Sequence, residues 1–324
     1  MSKNIIITGP TATGKTNLAV KIASDFDGEI ISADSRQVYK HLDIGTGKDI
    51  EEYENYGNPI KYHLIDIADP NEEYNLMRFK QDAPKAIKEI LKKEKLPIIA
   101  GGTPLYIDSL ISNYKMKGGG KNSELRKSLK TLSKNQLLEK LKILSLNDYE
   151  ELKNSNNCHR MIRTIERCTI PDTEEPIALP QESEWLILGV YFHRKTIHKR
   201  IEERLDARLN NGMVEEVKNL HEKMGVSWER LDFLGLEYRY IALYLKGELE
   251  YNEMRNRLLV KIRQFAKRQD IWFRKMEREG HIIHWVKNGD FQKASNLVKL
   301  FLMDKPLPAP EIKISEIDYG KKCN

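Results

Sequence analysis

Cysteine is scarce in this chain, with Cys158, Cys168 and Cys323 as its only thiols. Three residues so widely scattered cannot form a disulfide framework or a zinc cage, so stability has to come from a packed core. No apolar run approaches the roughly 20 residues that a membrane-spanning helix needs, and no membrane association is expected. Met1-Ser2-Lys3-Asn4 runs directly into Ile5-Ile6-Ile7, which leaves no room for a signal peptide and predicts a cytoplasmic protein. Aromatic residues make up only 8% of the sequence, and charge of neither sign dominates. Lys and Arg number 54 against 48 Asp and Glu, a net charge of +6. That balance permits a polyanionic partner without demanding one, so the distribution of charge carries more information than its sum. What is present is ordinary for a globular protein: 324 residues, 40% hydrophobic and 31% charged, enough for a sizeable core in one elaborated domain or two.

Apolar, β-branched runs recur as Asn4-Ile5-Ile6-Ile7-Thr8, Glu29-Ile30-Ile31-Ser32, Tyr62-His63-Leu64-Ile65 and Pro97-Ile98-Ile99-Ala100, with helical patterns between them. Short continuous apolar strands alternating with helices predict an α/β fold with a doubly wound parallel sheet. Trp185-Leu186-Ile187-Leu188-Gly189-Val190 and His281-Ile282-Ile283-His284-Trp285-Val286 can extend that sheet. Between these blocks the pattern changes. A glycine-rich stretch, Lys115-Met116-Lys117-Gly118-Gly119-Gly120-Lys121, precedes Lys/Leu/Glu-rich helices, which end in Ile170-Pro171-Asp172-Thr173-Glu174-Glu175-Pro176. The expected organisation is a core of residues 1–113 and 181–305, a helical insertion domain of residues 114–180 between two hinges, and a poorly ordered tail of residues 306–324.

Gly9-Pro10-Thr11-Ala12-Thr13-Gly14-Lys15-Thr16 fits the phosphate-loop pattern G-x-x-x-x-G-K-[ST], after an apolar strand and before a helical run. Successive backbone N–H groups in such a loop, with the helix N-terminus behind them, cradle phosphate oxygens. Lys15 adds a positive charge, and the Thr16 hydroxyl is placed to ligate Mg²⁺. The loop specifies a phosphate chain on the ligand but not whether that ligand is ATP or another diphosphate.

The next two strands also end in polar, ligand-capable residues. Asp34-Ser35-Arg36-Gln37 follows the second, where Asp34 has three readings: Mg²⁺ ligand, general base or helix N-cap. Gly101-Gly102-Thr103 ends the fourth, with glycines that let a ligand approach the backbone and a hydroxyl beside them.

These segments, with Leu42-Asp43-Ile44-Gly45-Thr46 and His63-Leu64-Ile65-Asp66-Ile67-Ala68-Asp69-Pro70, resemble the tRNA dimethylallyltransferase (isopentenyltransferase) family. The resemblance continues through His159-Arg160-Met161-Ile162-Arg163, Arg200-Ile201-Glu202-Glu203-Arg204, Gly235-Leu236-Glu237-Tyr238-Arg239 and Lys267-Arg268-Gln269-Asp270-Ile271-Trp272-Phe273-Arg274. It implies transfer of a dimethylallyl group from dimethylallyl diphosphate to N6 of the adenosine beside a tRNA anticodon, with Mg²⁺ as cofactor. It further implies Arg204 as a cation for the leaving diphosphate, Asp34 as the base, Thr103 as the group orienting the adenine, and a monomeric enzyme. Ser35, Arg36, Gln37, Arg126, His159, Arg160, Arg163, Arg239, Arg263 and Lys267 become candidate contacts to the tRNA anticodon stem-loop. Their interleaving with Tyr238, Trp272 and Phe273 suggests phosphates met by cations and unstacked bases met by rings. Pro104, the glycines 118–120 and the stretch 168–180 depart from the family's usual pattern, and no Cys/His finger follows the core, as in bacterial members. A P-loop small-molecule kinase and an RNA-binding NTPase module are the alternatives. The first predicts an Arg-rich lid over ATP, the second measurable NTP hydrolysis.

Overall fold

The computed structural model describes residues 2–54, 58–112, 122–170, 179 and 183–316. The chain divides into two compact units, residues 1–113 with 178–324, and residues 114–177.

The larger unit is a P-loop, doubly wound α/β structure. Its strands are β1 (Ser2–Thr8), β2 (Gly28–Ser32), β3 (Tyr62–His63), β4 (Leu96–Gly101), β5 (Ser183–Tyr191) and β6 (Ile283–Lys287). They pair in the order β3-β2-β4-β1-β5-β6, every pair parallel. Ile5 in β1 lies opposite Ile98 of β4 on one side and Leu186 of β5 on the other. Successive side chains of β1 go to opposite faces. Ile5 and Ile7 pack with Leu18, Ala19 and Ile22 of the helix Lys15–Asp25 and with Leu297 and Val298 of the helix Phe291–Leu302. Ile6 joins Ile99, Ile187 and Trp285 in the other cluster, with Phe79 of the helix Leu76–Leu91 and Phe273 of the helix Tyr251–Arg278. Cover on both faces is why these strands read as unbroken apolar runs. Each fully buried isoleucine contributes about 1.5–3 kcal/mol of transfer free energy.

Two expectations need correction. β3 stops at His63, two residues short of the apolar run, because Leu64 (φ 61°) and Asp66 (φ 57°) enter left-handed backbone that cannot continue a ladder. Residues 306–316 of the tail expected to be loose are tied down. Ile314 is fully buried, its N–H donates to Glu277 Oε1 at 3.0 Å, and Lys293 pairs with Glu311 at 2.5 Å. One apolar anchor and a charged strap hold a segment whose prolines and charges suggested a loose end.

The smaller unit comprises the helices Ser123–Lys130, Lys134–Leu144, Leu146–Leu152 and Cys158–Thr169 around Leu129, Leu137, Leu141, Leu152, Met161 and Ile165. Ser133 and Gln136 form a reciprocal capping box at the start of the second of these helices. The glycine-rich stretch 115–121 and residues 171–176, expected as hinges, lie outside the described residues, as does Cys323.

Candidate active site

Three strand ends meet at the C-terminal edge of the larger unit's sheet. β1 runs into the phosphate loop through Gly9, whose φ of 147° and lack of a Cβ are both required. A Cβ there would stand 2.4 Å from the Val190 carbonyl oxygen of β5. The loop closes on itself through Thr13 Oγ1 donating to the Pro10 carbonyl at 2.9 Å. Gly14, with φ 77°, caps the helix Lys15–Asp25 without a side chain, so no capping group occupies that N-terminus.

The loop forms one wall of a cleft of about 360 Å³, contributing Thr11, Ala12, Gly14, Lys15 and Thr16. Asp34 and Gln37 enter after β2, and Ala100, Gly101 and Gly102 from the end of β4. Arg200, Glu203 and Arg204 line it from the helix Arg194–Asn210, and Phe265 and Gln269 from the helix Tyr251–Arg278. Thr46, Gly47, Asp49, Glu52 and Tyr53 close the remaining side.

Asp34 Oδ1 accepts from the Arg36 backbone N–H at 2.8 Å. No helix begins there, so the N-cap reading is replaced by an Asx turn that fixes the carboxylate at the cleft wall. Thr103 Oγ1 accepts from the Ser35 N–H at 3.1 Å and lies 3.4 Å from Ser35 Oγ, tying the ends of β2 and β4 together. Gln37 Nε2 donates to the Gly47 carbonyl at 2.9 Å.

Cations are concentrated where a phosphate chain would lie. Lys15 Nζ donates to the Pro10 carbonyl at 2.8 Å, Arg200 Nε to the Ala12 carbonyl at 2.7 Å, and Arg204 Nη2 to Thr11 Oγ1 at 3.2 Å. Burial, followed by the charge of Arg204, pushes the Lys15 ammonium down to about 7, against an opposing pull from Asp34. Burial and neighbouring Arg208 push Arg204 down to about 10, opposed by Asp49, Glu237 and Asp34. Burial, then Asp49, holds the Glu52 carboxyl above its ordinary value. Enclosed cations whose charged forms are disfavoured have an electrostatic deficit that a bound anion relieves.

The other expected contacts are placed differently. Arg239 is exposed and pairs with Asp232 at 2.5 Å, while Arg263 pairs with Glu202 at 2.8 Å. Lys267 is exposed, and no ion-pair partner is found for it among the described residues. In the smaller unit Arg126 Nε donates to the buried Glu166 at 2.6 Å and Arg163 Nη1 to the same carboxylate at 3.4 Å. Exposed Arg160 pairs with Glu151, and His159 is exposed. The aromatic reading is corrected. Tyr238 is buried, its hydroxyl bonded to Glu216 Oε1 at 2.8 Å, and Phe273 sits edge-on to Trp285 in the core. Trp272 is partly exposed, with the Lys275 ammonium 4.9 Å from its ring centre. The exposed ring at the cleft is Phe265. Among residues that sequence reasoning missed, Arg200 had a usable signal, one helical turn before Arg204. Gln269 lay within a segment that carries the family resemblance and Phe265 just before it, but nothing in the sequence marked either side chain as facing a cleft.

The model of a protein family described as "IPP transferase" matches residues 37–276, and that of "Isopentenyl transferase" matches residues 2–56. The chain belongs to the IPP transferase family. Among curated IPP transferase relatives, "tRNA dimethylallyltransferase 1" of Geotalea uraniireducens is 43% identical over 305 residues, covering 93% of this chain and 98% of its own. "tRNA dimethylallyltransferase 2" of Treponema denticola is 45% identical over 288 residues, covering 87% and 95%. Among solved structures, the tRNA isopentenylpyrophosphate transferase of Bacillus halodurans superposes with a TM-score of 0.68 at 28% identity, over 94% of this chain and 98% of the other. That of Staphylococcus epidermidis gives 0.66 at 32% identity, over 94% and 100%. The IPP transferase fold thus extends over nearly the whole of this chain.

Proposed function

We propose that this chain transfers a dimethylallyl group from dimethylallyl diphosphate to N6 of the adenosine beside a tRNA anticodon. The observation that carries the reading is the single cleft in which a phosphate loop, two arginines, a lone strand-end carboxylate and the end of β4 face one another. The family relationship supplies the reaction class.

The chemistry follows from those groups. The adenine amine attacks C1 of the dimethylallyl group, the C1–O bond breaks, and its electron pair leaves with the diphosphate. Amides of the loop, Lys15, Arg204 and Arg200 face the charge that builds on that leaving group. Asp34 accepts the proton that N6 loses, a role its place on the wall of the same cleft allows. The adenine reaches the cleft only when extruded from its stack, and Thr103, bonded to Ser35, stands beside Asp34 to orient it. Diphosphate binding also restores the full charge of Lys15, so that donor binding near neutral pH takes up a proton.

Mg²⁺ fits this site. The Thr16 hydroxyl and the carboxylates of Asp49 and Glu52 are hard oxygen donors on the cleft wall. Among the described residues no cluster of three His, Cys, Asp or Glu could hold a metal unaided. That combination suits an ion whose coordination is completed by substrate phosphates. Thr16 would hold it, and the ion supplies positive charge against the diphosphate.

The test is direct incubation with tRNA and dimethylallyl diphosphate, followed by digestion and mass spectrometry of the nucleosides. Dimethylallyl-adenosine is the expected product, and ATP does not replace the donor. Phosphoryl transfer from ATP with no prenylated nucleoside overturns the reading in favour of a kinase. For the tRNA face, Lys267→Ala should weaken tRNA binding at low salt and flatten the slope of log affinity against log salt by roughly 0.7–0.9. Filter binding across a salt series checks this, and equal weakening at every salt concentration would assign Lys267 a structural part instead.

A further inference from the structure

Gln269 occupies a position that the transfer chemistry above does not use. It lies on the helix Tyr251–Arg278, is only 3% exposed, and its carboxamide spans the cleft floor. Oε1 accepts from the Thr11 backbone N–H at 2.9 Å, and Nε2 donates to the Gly102 carbonyl at 2.5 Å. The backbone amide can only donate and the carbonyl can only accept, so the partners dictate which way the carboxamide points. Gly102 leaves the space for it, since a Cβ there would stand 2.9 Å from Nε2.

One side chain therefore links the end of β1 to the end of β4. The connection continues on both sides. Thr11 takes the Arg204 guanidinium on its hydroxyl at 3.2 Å, while Thr103, next to Gly102, takes the Ser35 N–H beside Asp34. A continuous chain of bonds runs from the cation facing the leaving group to the segment bearing the base. The helix that supplies Gln269 also carries the exposed Lys267 on a different face.

We infer that Gln269 is a positioning residue: it holds the phosphate loop and the 101–103 strand end in fixed register, so that the departing diphosphate and the attacking amine meet in line. The inference rests on the prenyl-transfer reading above. It makes the Thr11 amide a structural contact, already committed to Gln269, and leaves the remaining loop amides for the ligand. It also gives a purely backbone-directed side chain an effect on the rate.

The experiment is steady-state kinetics of wild type, Gln269→Leu and Gln269→Glu with tRNA and dimethylallyl diphosphate from about pH 5.5 to 8.5, a range spanning a carboxyl whose pKa burial raises. Misplacement of reacting groups by about 1 Å costs on the order of 10²-fold, so Gln269→Leu should lower kcat by about that factor with little change in either KM. In Gln269→Glu, an ionised carboxylate confronts the Gly102 carbonyl, whereas the protonated form donates to it and still accepts from Thr11. Its kcat relative to wild type at the same pH should therefore rise on acidification, while that of Gln269→Leu stays low throughout. A Gln269→Leu enzyme with wild-type kcat overturns the inference. So does a Gln269→Glu ratio that is flat in pH, which is what simple loss of folding would give. Absence of prenylated product from wild type overturns the transfer reading itself, and the wild-type arm distinguishes that failure from the other two.

Discussion

Asp34→Asn lowers kcat by about 10²- to 10⁴-fold, the usual worth of a positioned general base, and leaves tRNA affinity nearly unchanged. Asparagine is the informative replacement because its side-chain oxygen can keep the 2.8 Å bond from the Arg36 N–H. The turn survives and only the proton acceptor is lost. Alanine at the same position removes both, and the difference between the two variants reports what the turn contributes. Single-turnover rates with saturating tRNA, together with binding isotherms, check the expectation. Retained turnover in Asp34→Asn would move the proton to another acceptor.

Arg204→Gln should lower kcat by roughly 10²- to 10³-fold, the cost of deleting one preorganised donor to a developing anion, and raise the KM for the diphosphate. It has a second, independent signature. In the wild type, kcat/KM should fall as pH rises through about 7, as Lys15 loses its proton in the free enzyme. Arg204 is the second-largest cause of that depressed value, so removing its charge raises the Lys15 pKa. The alkaline fall should then move to higher pH in Arg204→Gln. A slow variant with an unmoved profile would show that Lys15 does not set the limb.

The parts of the site legible in the sequence were those encoded locally. Residues 9–16 give their own turn, cap and charge within one motif, and Asp34 and Thr103 follow apolar runs whose direction places them at one edge, Asp34 on the cleft wall and Thr103 bonded to Ser35 beside it. The arginine-bearing helix was legible only in part. Arg204 matched a family position, but Arg200 became a cleft residue only once the helix was seen docked with both guanidinium groups on the loop.

Contacts between distant segments were not legible. Gln269 sits between Arg268 and Asp270 in a stretch dense with charge, and nothing local separates an inward carboxamide from an outward one. Tyr238 and Phe273 failed for the related reason that their basic neighbours masked a helical core stripe. Tyr238 packs with Ile241 and Ala242, and Phe273 with Ala266 and Met276. Ile314 lay hidden behind the prolines of the tail. It joins the core cluster that also holds Trp285 of β6 and Phe273 and Met276 of the helix before it, residues far from it in sequence.

The place of β1 in the sheet has a consequence for synthesis. Its pairing with β5 runs over seven residues, from Ser2 opposite Ser183 to Thr8 opposite Gly189, against four with β4. The longer partner is translated only after the whole of residues 114–177, a unit whose own core is local in sequence and can close first. At about 5–20 residues per second the ribosome takes seconds to cross that interval. Throughout it, the strand that bears the phosphate loop presents an open edge, the condition in which strands recruit foreign partners. The nascent chain is thus most in need of chaperone cover midway through its synthesis, between the first four strands of the sheet and the last two.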